Sequence, residues 1–413
     1  MGAGPRGSAG RDPDARGTRL SGRRFLLAAF GDPGHAFPMI ALGRELAARG
    51  HSVCLQTWDR WREHVEREGM RFERAPEYAV FPTSPALKPY QAAVRAAEET
   101  VPLVREFDPE AVVADILTLA AALAAEMEGR PWVTLVPHVL PAGDPGFPLY
   151  STGARLPRTA VGRRFWRTVE PLALVGARQG RDELNEARRR VGLPPHSHLH
   201  GGTSRQLSLI ATFPQLEYPR RWEPWMKVTG PLMWEQPYGD VELPPGEDPL
   251  VLVAPSTSQD PDQRMLLAAL DGLAGEPVRV LATTNRRMPP GGVPAVPGNA
   301  RLVDWVSYSR TMPLCDAVVC HAGHGTVVRS LACGTPLVAC PAAGDMAENA
   351  ARVSWAGVGV SLPRRLASPR GIRLAVRRLL SEPSFATRAG ELADWAGSHD
   401  GAATAADELE RFA

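Results

Sequence analysis

The strongest constraint on the fold is an alternation of short apolar runs with longer segments of helical periodicity, which occurs twice along the chain. The first series consists of RFLLAAF, SVCLQT, AVVADI, WVTLVP and LSLIATFP. The second consists of PLVLVAPS, VRVLATT, ARLVDWV, AVVCHA, TPLVACP and VGVSLP. Continuous apolar strands separated by helices are typical of a parallel sheet that is covered on both faces. We therefore predict an α/β protein with two doubly wound, Rossmann-like domains that face each other across a cleft.

The boundaries of these domains follow from a stretch rich in proline, glycine and acids, VTGPLMWEQPYGDVELPPGEDP, which is typical of an interdomain linker. The total of 413 residues also exceeds one ordinary domain. We predict a disordered tail, an N-terminal domain, a linker, a C-terminal domain and a last helix that can cross back to the first domain. These segments are residues 1–22, 23–228, 229–247, 248–390 and 391–413.

Composition excludes several function classes. A formal net charge of +2 gives no general attraction to nucleic acids or acidic membranes. The five cysteines form no CxxC pair and lie mostly in apolar runs, so we expect reduced thiols in a cytoplasmic protein. No apolar run reaches the roughly 18 residues of a membrane span, and the N-terminal segment lacks the apolar centre of a signal peptide. The sequence DPD occurs twice, once in the tail and once where we expect a helix cap, and HSHLH is interpreted as a loop. We therefore expect no metal site.

Ligands of doubly wound sheets bind beyond the carboxyl ends of the strands, and the richest strand end is HAGHGT after the strand AVVC. His321 is followed by small residues, and we expect a helix to begin at Thr326. Free backbone N–H groups at a helix start bind anions such as a diphosphate without a metal. On chemistry alone, the glycines are equally compatible with a tight turn between strand and helix.

A candidate acid–base pair lies at the strand ends of the first series. The strand RFLLAAF leads into Gly31-Asp-Pro-Gly-His35, with a helix expected from about Pro38, and Asp115 ends the strand AVVADI. An imidazole held by a carboxylate can take a proton from a hydroxyl group near neutral pH. The turn does not read G-x-G-x-x-G, which argues against a dinucleotide-dependent dehydrogenase.

The segments HAGHGTVVRSLACGTPLVACPAAGDMAENAARVSWAGVGV and GDPGHAFPMIALGRELAARGHSV resemble family 1 glycosyltransferases of the GT-B fold, especially the bacterial enzymes that decorate antibiotics and other natural products. The resemblance implies an acceptor-binding first domain and a nucleotide-sugar-binding second domain. It implies inverting, metal-independent transfer of a sugar from a TDP- or UDP-sugar to a hydrophobic acceptor. The nucleotide sugar is a co-substrate, and no other cofactor is expected. His35 is then the general base and Asp115 its partner.

The same resemblance implies a set of donor-binding residues. Trp305 is expected to stack on the nucleobase, while His321 and the helix start hold the diphosphate and Asp345 binds sugar hydroxyls. Met346 stands where the family often has glutamine, which favours a deoxysugar, and we favour TDP over UDP as the nucleotide. Ser307-Tyr308 replaces the common Pro-Gln, which leaves the contacts to base and ribose open. The full set is Ser256, Trp305, Val306, His321, Gly323, Gly325, Thr326, Asp345 and Asn349.

The acceptor site is expected in two loops of the first domain, EYAVFPTSPALKPY and PHVLPAGDPGFPLY. Their candidate residues, each equally compatible with a core or surface position, are Phe81, Tyr90, His138, Phe147 and Tyr150. Two further functions stay open. One is a nucleotide-sugar epimerase of the same architecture, which would need additional acids around the sugar, and Asp32 is a candidate for one of them. The other is a non-catalytic helper protein. Assembly into a homodimer also stays open.

Overall fold

The structure of the protein is a computed structural model that describes residues 22–76, 89–199, 202–256, 259–293, 295–342 and 344–413. The predicted N-terminal tail, apart from Gly22, and the candidate acceptor residue Phe81 lie outside these ranges. Among the described residues, no helix combines the length and apolarity that a bilayer span requires.

The N-terminal domain contains seven strands and five helices among the described residues. The strands are β1 (Arg24–Ala28), β2 (Ser52–Thr57), β3 (Arg71–Arg74), β4 (Ala111–Asp115), β5 (Trp132–Val136), β6 (Ser208–Ile210) and β7 (Met226–Val228). The helices are α1 (Pro33–Ala48), α2 (Arg62–Arg67), α3 (Pro89–Phe107), α4 (Leu119–Met127) and α5 (Ala160–Arg190). All strand pairs are parallel, in the order β3-β2-β1-β4-β5-β6-β7.

The C-terminal domain repeats this architecture with six parallel strands in the described part of the chain. They are β8 (Leu250–Ala254), β9 (Arg279–Thr283), β10 (Ala300–Val303), β11 (Ala317–Cys320), β12 (Leu337–Ala339) and β13 (Gly359–Ser361), in the order β10-β9-β8-β11-β12-β13. The helices are α6 (Arg264–Leu273), α7 (Tyr308–Thr311), α8 (His324–Ala332), α9 (Met346–Ala356), α10 (Pro369–Ser381), α11 (Pro383–Ser398) and α12 (Gly401–Phe412).

The predicted fold class is therefore confirmed. In each sheet the strand order reverses at one point, between β1 and β4 and between β8 and β11, and such switch points are where doubly wound sheets bind ligands. Strands β3 and β7 were not predicted, because both are short edge strands whose sequences, RFER and MKV, lack a continuous apolar run.

Both faces of each sheet are buried, as the apolar strand sequences require. In β1, Leu27 packs with α1 residues such as Ile40 on one face, while Leu26 packs with Val104 of α3 on the other. Each such fully buried side chain contributes about 1.5–3 kcal/mol to folding. The two switch points are thereby held on rigid scaffolds.

The last two helices pack on different domains. Helix α11 contacts α8 of the C-terminal domain, whereas α12 contacts α1 and buries Leu409 in the N-terminal core. A salt bridge from Arg49 to Asp407 at 2.6 Å and a hydrogen bond between His51 and Glu410 at 2.7 Å accompany this contact. Residue 391, the predicted start of the final helix, lies inside α11, and the segment that reaches the N-terminal domain begins at Gly401.

Candidate active site

His35 lies in the first turn of α1, not in a loop before it. The helix begins at Pro33, five residues earlier than the expected start near Pro38, because Asp32 is the extended N-cap residue and proline suits the first helical position. The N–H groups of His35 and Ala36 both donate to the Asp32 carbonyl at 2.9 Å. This start places the imidazole directly beyond the carboxyl end of β1.

His35 and Asp115 form a hydrogen-bonded pair across the first switch point. The distance from His35 Nδ1 to Asp115 Oδ1 is 2.8 Å, and Asp115, the last residue of β4, is only 2% exposed. The second carboxylate oxygen of Asp115 accepts the Phe30 N–H at 3.0 Å, which fixes its orientation. Because a carboxylate only accepts, His35 Nδ1 carries a proton and Nε2 of the neutral ring keeps a free lone pair.

The charges around His35 favour proton binding. Burial by itself lowers the pKa of His35, but the carboxylate of Asp115, helped by those of Asp345 and Asp32, raises it above the ordinary value. The raised pKa means that His35, once it has accepted a proton, is stabilised in its protonated form, as a general base requires.

A second imidazole, His138, lies beside the first. It follows β5, and its ring centroid is 6.2 Å from that of His35 in an edge-on arrangement. His138 Nδ1 donates to the Val139 carbonyl at 2.8 Å, and burial lowers the pKa of His138, so the ring is neutral. Its Nε2 is then a hydrogen-bond acceptor.

At the second switch point, α8 begins at His324, two residues before the expected start at Thr326. Gly323 is the N-cap residue, with extended backbone angles, and its carbonyl accepts the N–H groups of Thr326 and Val327 at 3.1 Å. The N–H groups of His324 and Gly325 therefore remain outside the helical ladder at the positive end of the helix. Of the two backbone donors that the resemblance implies, the Gly325 N–H stays outside the ladder, whereas the Thr326 N–H is bonded to the Gly323 carbonyl.

His321 lies directly beyond β11 and is enclosed by the same turn. Its Nδ1 is 3.3 Å from the Ala254 carbonyl, and burial lowers the pKa of His321, so the ring is neutral. A Cβ atom on Gly323 would lie 2.3 Å from His321 Nε2. Glycine at position 323 is thus required for this placement of the imidazole.

Ser256 leaves the sheet at the same edge as His321, because β8 and β11 are neighbours with Ala254 opposite Cys320. Ser256 is buried, and its hydroxyl accepts the Gln259 N–H at 2.9 Å, which is the turn-capping role expected of such a serine.

Asp345 connects the histidines of the two domains. It is the N-cap residue of α9, although its side chain makes no capping hydrogen bond. Its negative charge contributes to the raised pKa of His35 and opposes the lowering of the pKa of His138 and His321 by burial, so the carboxylate is within electrostatic reach of all three. Asn349, buried one turn further along α9, donates to the Ala322 carbonyl at 3.0 Å. The predicted base His35 and the predicted diphosphate ligand His321 are thus both under the electrostatic influence of Asp345.

Trp305 and Val306 follow β10 and have different environments. Trp305 is half-buried, and the guanidinium carbon of Arg286 lies 4.7 Å from its ring centroid. The Val306 side chain is buried in the apolar core of the C-terminal domain, so only its backbone is available to a ligand.

The candidate acceptor residues lie in different environments. His138 and Tyr150 lie near Asp345; burial and the charges of Asp345 and Glu348 raise the pKa of Tyr150. Phe147 packs edge-on against Tyr218, with ring centroids 5.6 Å apart, and is a packing residue in this arrangement. Tyr90 is in α3, but its side chain lies outside the described part of the structure.

Two features of the site were not anticipated. One is Arg286 on the face of Trp305. The other is a buried ion network in which Arg352 donates to Glu348 at 2.8 Å and to Glu217 at 3.3 Å, tying α9 to the segment after β6. The spacing of Glu348 and Arg352 predicts a helical ion pair, but nothing in the sequence marks it as buried. Among the described residues, no cluster of three potential metal-ligating side chains occurs.

Comparisons with known proteins agree with this arrangement. Residues 25–133 match the glycosyltransferase family 28 N-terminal domain, and residues 264–411 match the C-terminal domain described as erythromycin biosynthesis protein CIII-like. The first match contains the His35–Asp115 pair, and the second contains α8 and Asp345.

Two curated relatives extend over nearly the whole chain. The 4'-demethylrebeccamycin synthase of Lentzea aerocolonigenes is 31% identical over 94% of this chain and 99% of its own length. The O-mycaminosyltylonolide 6-deoxyallosyltransferase of Streptomyces fradiae is 28% identical over 94% of this chain and 97% of its own length. These relatives give no support to the epimerase or helper-protein alternatives.

Solved structures show the same fold. The glycotransferase of kitacinnamycin has a TM-score of 0.75 and 22% identity, covering 95% of this chain and 99% of that one. The glycosyltransferase VinC, solved in complex with DTDP, has a TM-score of 0.67 and 19% identity, covering 94% and 99%. With whole-length relatives, both domain matches and the shared fold in agreement, this chain belongs to the natural-product glycosyltransferases of the GT-B fold, which transfer a sugar from a nucleotide-sugar donor to a small-molecule acceptor.

Proposed function

We propose that the enzyme transfers its sugar with inversion and without a metal ion, and that His35 is the general base. The observation that carries this proposal is the 2.8 Å hydrogen bond from His35 Nδ1 to Asp115, which leaves Nε2 as the proton acceptor beyond the carboxyl end of β1. Asp345, whose charge contributes to the raised pKa of His35, is proposed to bind the donor sugar near this base.

The donor diphosphate binds at the start of α8. The N–H groups of His324 and Gly325, the positive helix end and His321 supply donors and charge where many enzymes use a divalent cation. Trp305 stacks on the base, and Asp345 accepts hydrogen bonds from the sugar. In this scheme the backbone N–H groups and the positive helix end stabilise the charge of the diphosphate, so no metal ion is required.

The nucleotide and sugar are proposed to be TDP and a deoxysugar. The structural neighbour VinC was solved with DTDP, and the Streptomyces fradiae relative is named a 6-deoxyallosyltransferase. Met346, beside Asp345, packs in the apolar core of the C-terminal domain and has no group that can hydrogen-bond a sugar hydroxyl. A donor with fewer hydroxyls suits this environment.

The chemical step is a single displacement. An acceptor hydroxyl gives its proton to His35 Nε2 while its oxygen forms a bond to the anomeric carbon. The bond from that carbon to the phosphate oxygen breaks, its electron pair stays on the nucleoside diphosphate, and the α8 start stabilises the new charge. Attack opposite the leaving group inverts the anomeric configuration. Asp115 stabilises the imidazolium that forms.

The proposal is tested by incubating the enzyme with an α-configured TDP-deoxysugar, a panel of polycyclic phenols and excess chelator, and by reading the anomeric coupling of the product by NMR. We expect a β-glycoside, formed at an unchanged rate with chelator. An α-glycoside product, or activity abolished by chelator and restored by a divalent cation, contradicts the proposed mechanism.

We also propose that the enzyme works in the cytoplasm. All five cysteines are free, and Cys54, Cys315, Cys320 and Cys340 are buried, which suits a reducing compartment. Burial raises the pKa of these thiols and keeps them unreactive.

A further inference from the structure

We infer that Arg286 is a positioning residue for the donor nucleotide: it holds one face of Trp305 so that the nucleobase stacks on the other. This inference rests on the proposed role of Trp305 in base stacking. It adds a residue, after β9, that lies outside the motifs from which the donor site was predicted.

The contact itself is well defined. The Arg286 guanidinium carbon lies 4.7 Å from the ring centroid of Trp305, within the range of a cation–π interaction. The indole Nε1 is buried and finds no hydrogen-bond partner among the described residues, whereas the Trp305 side chain as a whole is only half-buried. The ring is therefore embedded by one edge, with a cation on one face.

The backbone that presents Arg286 is unusual. Asn285 and Arg286 are consecutive non-glycine residues with left-handed φ angles of 50° and 61°. Hydrogen bonds maintain this conformation: Asn285 Nδ2 donates to the Pro255 carbonyl, and the Arg286 N–H donates to the Asp304 carbonyl at 3.0 Å. Strain that is held in this way is concentrated at ligand-binding edges of proteins, and this one lies beside Trp305.

A second contact fixes the far end of Arg286. Its Nη1 donates to Gln236 Oε1 at 3.4 Å, and the amide nitrogen of Gln236 lies 3.1 Å from His64 Nε2. The two contacts are consistent with one orientation of the amide, since its oxygen accepts from Arg286 and its nitrogen donates to a neutral His64. Arg286 is thus tied through the linker to α2 of the N-terminal domain.

This tie determines which face of Trp305 is free. Arg286 occupies one face of the indole, so the base stacks on the other face. A guanidinium on the opposite face keeps the indole plane fixed before the base arrives, which reduces the ordering cost of binding. Arg286 acts on the nucleotide only through Trp305.

The test is calorimetric titration of the full-length protein with TDP and, separately, with inorganic pyrophosphate. The affinity for pyrophosphate measures binding at the start of α8 alone, whereas the affinity for TDP also includes stacking of the nucleobase on Trp305. We expect Arg286→Ala to raise the Kd for TDP about two- to fivefold, the range of an exposed cation–π contact, and to leave the Kd for pyrophosphate unchanged. Arg286→Lys, which keeps the charge but loses the planar stack, is expected to fall between wild type and alanine.

Arg310→Ala is the matched control. Arg310 also pairs with the linker, through Asp240 at 2.7 Å, and it lies on α7 close to Trp305 in sequence. Among the described residues, no cation–π contact joins Arg310 to the indole, so its loss is expected to leave both affinities unchanged. A weaker TDP affinity in both arginine variants would indicate a general effect of the linker and overturn the inference.

The inference is also overturned if Arg286→Ala binds TDP as tightly as wild type or more tightly. It is equally overturned if the variant loses as much affinity for pyrophosphate as for TDP. Tighter binding would mean that Arg286 occupies the face that the base needs. If wild type binds pyrophosphate but neither TDP nor UDP more tightly, the proposed role of Trp305 fails as well. If wild type and Arg286→Ala bind TDP equally and more tightly than pyrophosphate, the inference about Arg286 fails while the proposed role of Trp305 stands.

Discussion

His35 and Asp115, 80 residues apart in the chain, are joined by a hydrogen bond of 2.8 Å between Nδ1 and Oδ1. The bond crosses the point where the strand order of the first sheet reverses, so the fold itself brings the two residues together. It determines which nitrogen of His35 is free, and the predictions about catalysis follow from it.

Replacing His35 by alanine removes the proposed base. We expect kcat to fall about 10²–10⁴-fold, the usual contribution of a general base, while the Kd for TDP stays as in wild type. Steady-state kinetics with a fixed acceptor, together with calorimetry, measure both quantities. Retention of full activity by His35→Ala would assign the base to another group.

Asp115→Asn is expected to lower kcat by a similar factor, because it holds His35 in the wrong tautomer. The bond from the Phe30 N–H to Oδ2, at 3.0 Å, is shorter than the 3.3 Å bond from the Leu117 N–H to Oδ1, so we expect the carboxamide oxygen on the Phe30 side. The amide NH₂ then faces His35 Nδ1 and moves the ring proton to Nε2.

The same substitution has a pH signature. Asp115 raises the pKa of His35, so its charge loss lowers that pKa, and the acid limb of kcat/KM moves to lower pH. The pH profiles of wild type and variant measure the shift. An acid limb that stays in place, or moves upward, contradicts the assignment of this limb to His35.

Gly323→Ala is expected to abolish donor binding without unfolding the protein. The backbone angles at Gly323 suit alanine, but the new Cβ would lie 2.3 Å from His321 Nε2 and displace the imidazole. Calorimetry with TDP and thermal unfolding measure the two effects. Gly397→Ala, in α11 with nothing within 4 Å of the added atom, is the control and should bind normally. Normal TDP binding by Gly323→Ala would remove His321 from the site.

Donor binding is expected to take up a proton at His321. In the free protein burial lowers the pKa of His321, and the ring is neutral with its Nδ1 proton directed to Ala254. A bound diphosphate favours the charged imidazolium and raises that pKa. Titrations with TDP at pH 7.5 in buffers of different ionisation enthalpy therefore should show proton uptake, which His321→Gln should abolish. Equal uptake by both proteins would exclude His321 as the source.

The residues at the strand ends could be predicted because continuous apolar runs mark the buried strands, and the fold places their carboxyl ends at one edge. The helix starts were less accurate. The pair Asp32-Pro33 is an adequate signal for the start of α1, whereas the Gly323 N-cap of α8 is a weak one, since glycine at a helix start also suits a turn.

Other features could not be predicted from sequence spacing. The contact of Arg286 with Trp305 depends on two left-handed residues that are not glycine, and the burial of Arg352 depends on Glu217, 135 residues away. The polar edge strands β3 and β7 gain their structure from pairing with β2 and β6, not from their own sequences.

The central claim is that the start of α8 binds the donor diphosphate without a metal, and calorimetric titration with TDP and UDP in excess chelator tests it most directly. His324→Pro removes one free N–H at a helix position that tolerates proline, and His324→Ala removes the same imidazole but keeps the N–H. We predict that wild type and His324→Ala bind TDP in chelator, and that His324→Pro binds it at least tenfold more weakly than His324→Ala, as expected for one charge-assisted hydrogen bond. Equal affinities of the two variants, or binding by wild type only after a divalent cation is added, would contradict the claim.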